Sequence, residues 1–324
     1  MHALRALQRR IITPDISATR MDTRGFHVKN EASKELLETV GKSFLTGYAA
    51  AVEQPTTAAA AAQLDQLPER FRGFAFEGAA MGYAVVGSMP FSGRRNLDTF
   101  LAEEGEPHLY MAYVGIGWAM ARLPRMLWPK NELDPLLRWL VLDGYGFHQA
   151  YFKTAAYVRG GRRDTALRWP DGRPHPYGPN ALDQGIGRAL WFVGGTDPDV
   201  VAGLIESLEP ARRPDLYSGA GLAATYAAGA EESELRGFYK RAGEYRPQVA
   251  QGSAFAAEAR HRAGLVTEHT EVATEVFCGM TPAEAAAVCV RTRDRDTGPE
   301  TAEVPAYEAW RRRIADTFVS LGRN

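Results

Sequence analysis

Six stretches of this chain align on a glycine. They are "EGAAMGYAVV" at Gly78, "VGIGWAMARL" at Gly115, "DGYGFHQAYF" at Gly144, "QGIGRALWFV" at Gly185, "SGAGLAATYA" at Gly219 and "QGSAFAAEAR" at Gly252. Their first glycines are spaced by 37, 29, 41, 34 and 33 residues. A period of about 35 residues is that of a repeated two-helix unit. Two residues on, each stretch has Gly or Ala; four residues on, it again has Gly or Ala, except at His148. At about 100° per residue, positions 0 and +4 share one helix face while +2 points nearly the opposite way. A helix that is small on two opposite sides can be approached closely by neighbours on both. Each stretch therefore reads as the inner helix of a packed layer.

Glycine inside a helix costs about 1 kcal/mol against alanine. Ten glycines at two columns require a geometric return, and close backbone approach supplies one. The alternative places each Gly-x-Gly in a loop. A nucleotide-binding loop fits poorly, since no G-x-G-x-x-G follows a β-branched strand and no P-loop lysine is present.

Between the repeats, "SELRGFYKRAGEY" and "HTEVATEVFCG" carry helical spacing and read as partner helices. In "TPAEAAAVCVRT", Thr281 reads as N-cap, Pro282 as the first helical residue and Glu284 as the third, a capping box. Few β-rich alternating runs occur. The expectation is an all-α protein of about six repeated helical pairs, forming a curved solenoid or a closed α/α toroid. Residues 25–290 make the repeat domain, with an inserted Gly-, Pro- and Arg-rich loop from Val158 to Asn180. A long inserted loop is often a lid or a binding loop; the alternative is a solvated excursion. Residues 1–24 form a basic N-terminal helix or arm (Leu4, Leu7, Ile11). Residues 291–324 form a charged loop and an amphipathic helix whose stripe is Tyr307, Trp310, Ile314, Phe318 and Leu321. That stripe caps the core or makes a homodimer contact.

Composition narrows the class of partner. A net charge of −1 gives no basic footprint for nucleic acid. The longest uncharged apolar run, His108 to Ala121, is shorter than the roughly 20 residues of a membrane span. The N-terminus has no apolar segment of the secretory type. Two cysteines, Cys278 and Cys289, lack metal-ligand or redox spacing and suit a cytoplasmic location. No metal site and no particular cofactor is indicated.

Position −1 of the repeats is Glu77, Val114, Asp143, Gln184, Ser218 and Gln251; position +3 is Met81, Trp118, Phe147, Arg188, Leu222 and Phe255. Positions −1 and +3 lie on one helix stripe. If the units curl, that stripe lines an interior with apolar walls and a few polar groups, the make-up of a small-molecule site. Glu77, Asp143, Arg188 and His148 are then the candidates for proton or charge chemistry. His148 is singled out because it breaks a small-residue column. Trp118, Phe147, Tyr151, Gln184, Trp191, Ser218, Gln251 and Phe255 are the candidate substrate contacts. The competing reading is that the polar side chains simply bond neighbouring helices, with Arg188 pairing a buried acid.

The stretches "RGFHVKN", "GFAFEGAAMGYAVV", "DGYGFHQAYF", "DQGIGRALWFVGG", "RRPDLYSGAGLAATYAAG" and "QGSAFAAEARHRAG" resemble the UnbL-like family, of unknown function, encoded beside iterative enediyne polyketide synthases. The similarity runs from about Arg24 to Met280. It carries no catalytic residues. It implies an accessory protein that binds or transforms an apolar polyene or polyketide intermediate. The alternative is a helical-repeat adaptor docking other proteins of the biosynthetic cluster, without catalysis.

Overall fold

The computed structural model describes residues 16–89, 95–169, 172–293, 301 and 303–323. The expected helix through Leu4, Leu7 and Ile11 lies outside them. Among the described residues the structure is helical, with one isolated β-bridge between Arg168 and Pro174. Among these residues no helix is long and apolar enough to cross a membrane.

After a single helical turn, Met21–Arg24, the helices run in chain order. They are α1 (Glu31–Glu53), α2 (Thr57–Leu64), α3 (Glu69–Gly87), α4 (Arg95–Ala102), α5 (Leu109–Arg122), α6 (Trp139–Phe152) and α7 (Gly178–Val193). Then come α8 (Pro198–Glu206), α9 (Arg213–Ala227), α10 (Glu232–Arg241), α11 (Arg246–Arg262), α12 (Glu268–Cys278), α13 (Pro282–Arg293) and α14 (Ala306–Ser320). Helices α1, α3, α5, α6, α7, α9, α11 and α13 pack each on the next to form an inner layer. Helices α2, α4, α8, α10 and α12 lie between successive members of that layer. All six glycine stretches are helical.

Starts follow local chemistry. The Asn30 side chain accepts from Ser33 N at 2.8 Å and opens α1. Thr281 Oγ1 accepts from Glu284 N at 3.3 Å while Glu284 accepts from Thr281 N at 3.0 Å, the expected box at α13.

The glycine columns are where the inner helices meet. A Cβ built on Gly115 would lie 2.1 Å from the Glu77 carbonyl oxygen, one on Gly185 1.7 Å from that of Asp143, and one on Gly252 1.9 Å from that of Ser218. Gly144 and Gly219 meet Val114 O and Gln184 O in the same way, both at 2.0 Å. Position 0 of each repeat thus touches the carbonyl at −1 of the repeat before. The +2 glycines face the other way: Gly117, Gly146, Gly187 and Gly221 meet the carbonyls of Val141, Leu182, Leu216 and Val249, at −3 of the next repeat.

A seventh, degenerate repeat precedes the six. Gly78 meets Phe44 O, and Gly47 meets Ala75 O. Leu45 therefore stands at position 0 and Gly47 at +2. Among the described residues no inner helix precedes α1, so position 0 can carry a leucine.

Two links depart from the paired pattern: among the described residues, those from α5 to α6 and from α6 to α7 contain no partner α-helix. The first has a short turn at Arg125–Leu127; the second has a π-helical turn at Ala155–Arg159 and the insertion. Parts of the insertion are anchored: Tyr157 and Val158 are buried, and Trp169 packs against Trp139 with ring centres 6.4 Å apart. Arg163 Nε also lies 3.0 Å from the buried Asp183 carboxylate.

The layer curls until early helices meet late ones. His27 N donates to Val193 O at 2.9 Å, Lys29 Nζ to Gly229 O at 2.7 Å, and Arg260 Nη2 to Arg70 O at 3.2 Å. Helix α14 lies on α11 and α13. Its stripe is buried at Tyr307, Trp310, Ile314 and Phe318, but Leu321 falls past the helix end and is exposed.

Candidate functional site

The −1/+3 stripe faces the interior of the curl, and it divides into two halves. The first half is built by α1, α3, α5, α6 and α7. It encloses a cleft of about 60 Å³. Its walls are aromatic: Phe44 and Trp118 have ring centres 4.6 Å apart, Trp118 and Phe147 5.2 Å, and Phe147 and Phe192 5.2 Å. Tyr151 completes the set, and Glu77 and Arg188 supply the buried polar groups.

Glu77 and Arg188 are more than 100 residues apart in sequence and both face the cleft because the layer curls. Burial pushes the Glu77 carboxyl up to about 8, despite the opposing pull of Arg188; the neighbouring Asp143 raises it further, and the Trp118 indole favours the anion. Glu77 is therefore mainly protonated and neutral at pH 7. Arg188 Nη1 donates to Asp143 Oδ1, and the guanidinium sits 5.2 Å from the Phe147 ring centre. Burial disfavours the Arg188 charge, but Asp143 and Glu77 more than offset this and hold its pKa above the ordinary value. Burial raises the Asp143 carboxyl, against the pull of Arg188. Asp143 does not line the cleft; it holds the Arg188 side chain that does.

His148 is buried beside the cleft rather than in its lining. Its ring lies 5.4 Å from Trp118 and 4.6 Å from Phe152, and its Nδ1 has no hydrogen-bond partner. Burial, with Arg122 and Lys153 adding to it, lowers its pKa to about 3, so it is neutral at pH 7. Trp191 points to the outer layer: its Nε1 donates to Ala228 O at 2.9 Å and its ring packs near Phe238.

The second half of the stripe is filled by α14. Ser218 Oγ donates to Gln251 Oε1 at 2.7 Å, and Arg311 Nε donates to the same oxygen at 3.3 Å. Arg311 Nη1 also reaches Asp215 at 2.7 Å, Glu308 at 2.8 Å and Tyr177 at 2.9 Å. Gln184 lies 3.1 Å from the Tyr307 hydroxyl; with its amide oxygen turned towards Arg311, it accepts from Nη2 at 2.9 Å. Phe255 packs on Trp310 at 4.8 Å. Gln184, Ser218, Gln251 and Phe255 are thus engaged by the chain's own C-terminal helix.

Four contributors were missed by sequence reasoning: Phe44, Phe74 and Phe192 in the cleft and Arg311 beyond it. Phe44, in the degenerate first repeat, was findable, since Leu45 stands 33 residues before Gly78. Phe192, four residues after Arg188, and Phe74, three before Glu77, continue the same stripe by one turn at either end, beyond the two columns that were read. Arg311 was hidden because an apolar stripe drew attention to its neighbours.

A larger open cleft, about 540 Å³, lies on the opposite face of α5, between Ile116, Met120 and Trp169, rimmed by Arg125, Lys130, Arg138 and Arg168. It contains none of the candidate site residues. Cys278 and Cys289 are buried free thiols. Among the described residues no group of three or more His, Cys, Asp or Glu side chains could hold a metal ion.

No curated protein and no solved structure matches this chain. One family model does, over residues 3–318, and its description, "Protein of unknown function (DUF1702)", states no activity or pathway. With nearly its whole length matched, the chain belongs to the DUF1702 family of proteins of unknown function.

Proposed function

We propose that the aromatic cleft takes an elongated apolar molecule and that Glu77 exchanges a proton with it. The observation that carries this reading is the neutral Glu77 carboxyl in an otherwise aromatic cleft, next to an arginine already balanced by Asp143. A carboxylic acid kept protonated near pH 7 is poised as a proton donor. Arg188 would stabilise the carboxylate left after transfer, and the apolar walls would exclude water from the exchange. Asp143 acts through Arg188 and is a positioning residue.

The small volume of the cleft, about 60 Å³, favours a slender chain over a bulky ring system. A linear polyene fits that description, and the resemblance to the UnbL-like family adds a context: maturation of a polyene-derived intermediate towards an enediyne core. Glu77→Gln keeps the size of the side chain and removes the transferable proton. In a host making such a core, it should abolish production while the protein still accumulates and still binds a conjugated polyene. Undiminished production by Glu77→Gln overturns the reading.

The adaptor reading keeps one observation in its favour, the 83% exposed Met126 beside the exposed Leu127. Under that reading Met126→Asp, and not Glu77→Gln, stops production.

A further inference from the structure

Two arginines line the aromatic cleft, and they differ in kind. Arg188 is buried and paired with Asp143. Arg122, the last residue of α5, is exposed, yet its side chain also lines the cleft. Among the described residues its side chain has no ion pair or hydrogen bond. Arg122 follows Trp118 by four residues and so extends the same stripe, from the aromatic wall out to solvent. Its charge reaches back to the buried His148 ring and the Tyr48 hydroxyl.

A cation at a helix C-terminus is favoured by the helix dipole alone. The dipole, however, requires only a positive charge near the last turn. It does not require the side chain to lie along an aromatic opening. An unpaired guanidinium at the edge of an apolar slot is complementary to a molecule with a charged end and a hydrocarbon body. The body replaces water along Phe44, Trp118 and Phe147, and the head stays at the rim. There it forms a charge-assisted contact without the cost of desolvation in the interior.

We propose that the ligand of this cleft carries an anionic head group, a carboxylate or a phosphate, received by Arg122 at the mouth. This rests on the cleft being an apolar-chain site and adds the polarity and direction of the chain: head outward, hydrocarbon towards Glu77. A free acid and a phosphate ester share this chemistry.

The test uses the full chain and a fluorescent conjugated 18-carbon tetraene in three forms: the free acid, its methyl ester, and the phosphate monoester of the corresponding alcohol. The expected result is that the anionic forms bind the native protein at least about tenfold tighter than the ester. Rising salt should erode that preference. Arg122→Gln should remove the preference by weakening both anions far more than the ester. Whichever of acid and phosphate binds tighter identifies the source of the head. If the ester binds as well as both anions, or if Arg122→Gln leaves the preference intact, the inference is overturned while the apolar-chain reading stands. If no form binds, both fall. Arg122 is exposed, so the variant should keep the native thermal midpoint, and that measurement accompanies the titrations.

Discussion

Gly144 is pressed against the backbone of Val114: a Cβ on Gly144 would sit 2.0 Å from the Val114 carbonyl oxygen and 2.7 Å from its carbon. No rotamer change relieves a clash with backbone. The contact places a glycine CH against a carbonyl across two helices, a weak but recurrent helix–helix interaction.

Gly144→Ala and Gly185→Ala should each destabilise the protein by about 1–3 kcal/mol or more, because a single methyl must push two helices apart. Gly237, in the outer helix α10, is the control: a Cβ there meets nothing within 4 Å. Gly237→Ala should be neutral or stabilise by up to about 1 kcal/mol, the helix-propensity gain. Denaturant midpoints read the difference. Equal effects at all three positions would remove the inner-layer explanation of the glycine columns.

Glu77 also makes stability depend on pH. Its carboxyl titrates at 4.5 ordinarily and at about 8 in the folded chain. Between these values the folded state holds a proton that the unfolded state has lost. The contribution of Glu77 to stability is therefore greatest below pH 4.5 and falls as pH rises towards 8. Glu77→Gln cannot lose a proton, so its stability relative to native should improve steadily from pH 5 to pH 8. Urea unfolding at four pH values across that range measures the gap. A constant gap would mean that Glu77 is ionised in the folded protein.

The buried Asp143–Arg188 pair makes Asp143→Asn costly, since it leaves Arg188 without its counter-charge, and breaking a buried pair from one side costs about 3–5 kcal/mol. Asp143→Leu combined with Arg188→Met removes both charges and should be more stable than Asp143→Asn alone. Thermal unfolding decides. A double variant no better than the single one would show that the pair is not the source of the loss.

The fold was legible because its rule is written in backbone contacts. Gly115, Gly144, Gly185 and Gly252 can be only glycine where a carbonyl lies against them, so a packing requirement surfaces as a letter in the sequence. The inward orientation of Glu77, Trp118, Phe147 and Arg188 followed from helical spacing off those glycines. What faces them did not. Gln184, Ser218 and Gln251 occupy the same column as Glu77 and Asp143, but Tyr307 and Arg311 of α14 cover them, and nothing in a local pattern says where a terminal helix docks. Trp191, an aromatic six residues past a column glycine, points to the outer layer and donates to Ala228 O.

The carbonyl-to-glycine contacts have a consequence for what such a chain can become. Neighbouring helices are held in register by main chain against main chain, and side chains at −1 and +3 add bridges across some of the joints, as Asp143–Arg188 and Ser218–Gln251 do. The register is thus specified apart from the rest of the lining. A residue such as Met81, which makes no such bridge, can be exchanged for another while the register stays set by ten hydrogen-only side chains, so the same scaffold can be re-upholstered for a different guest.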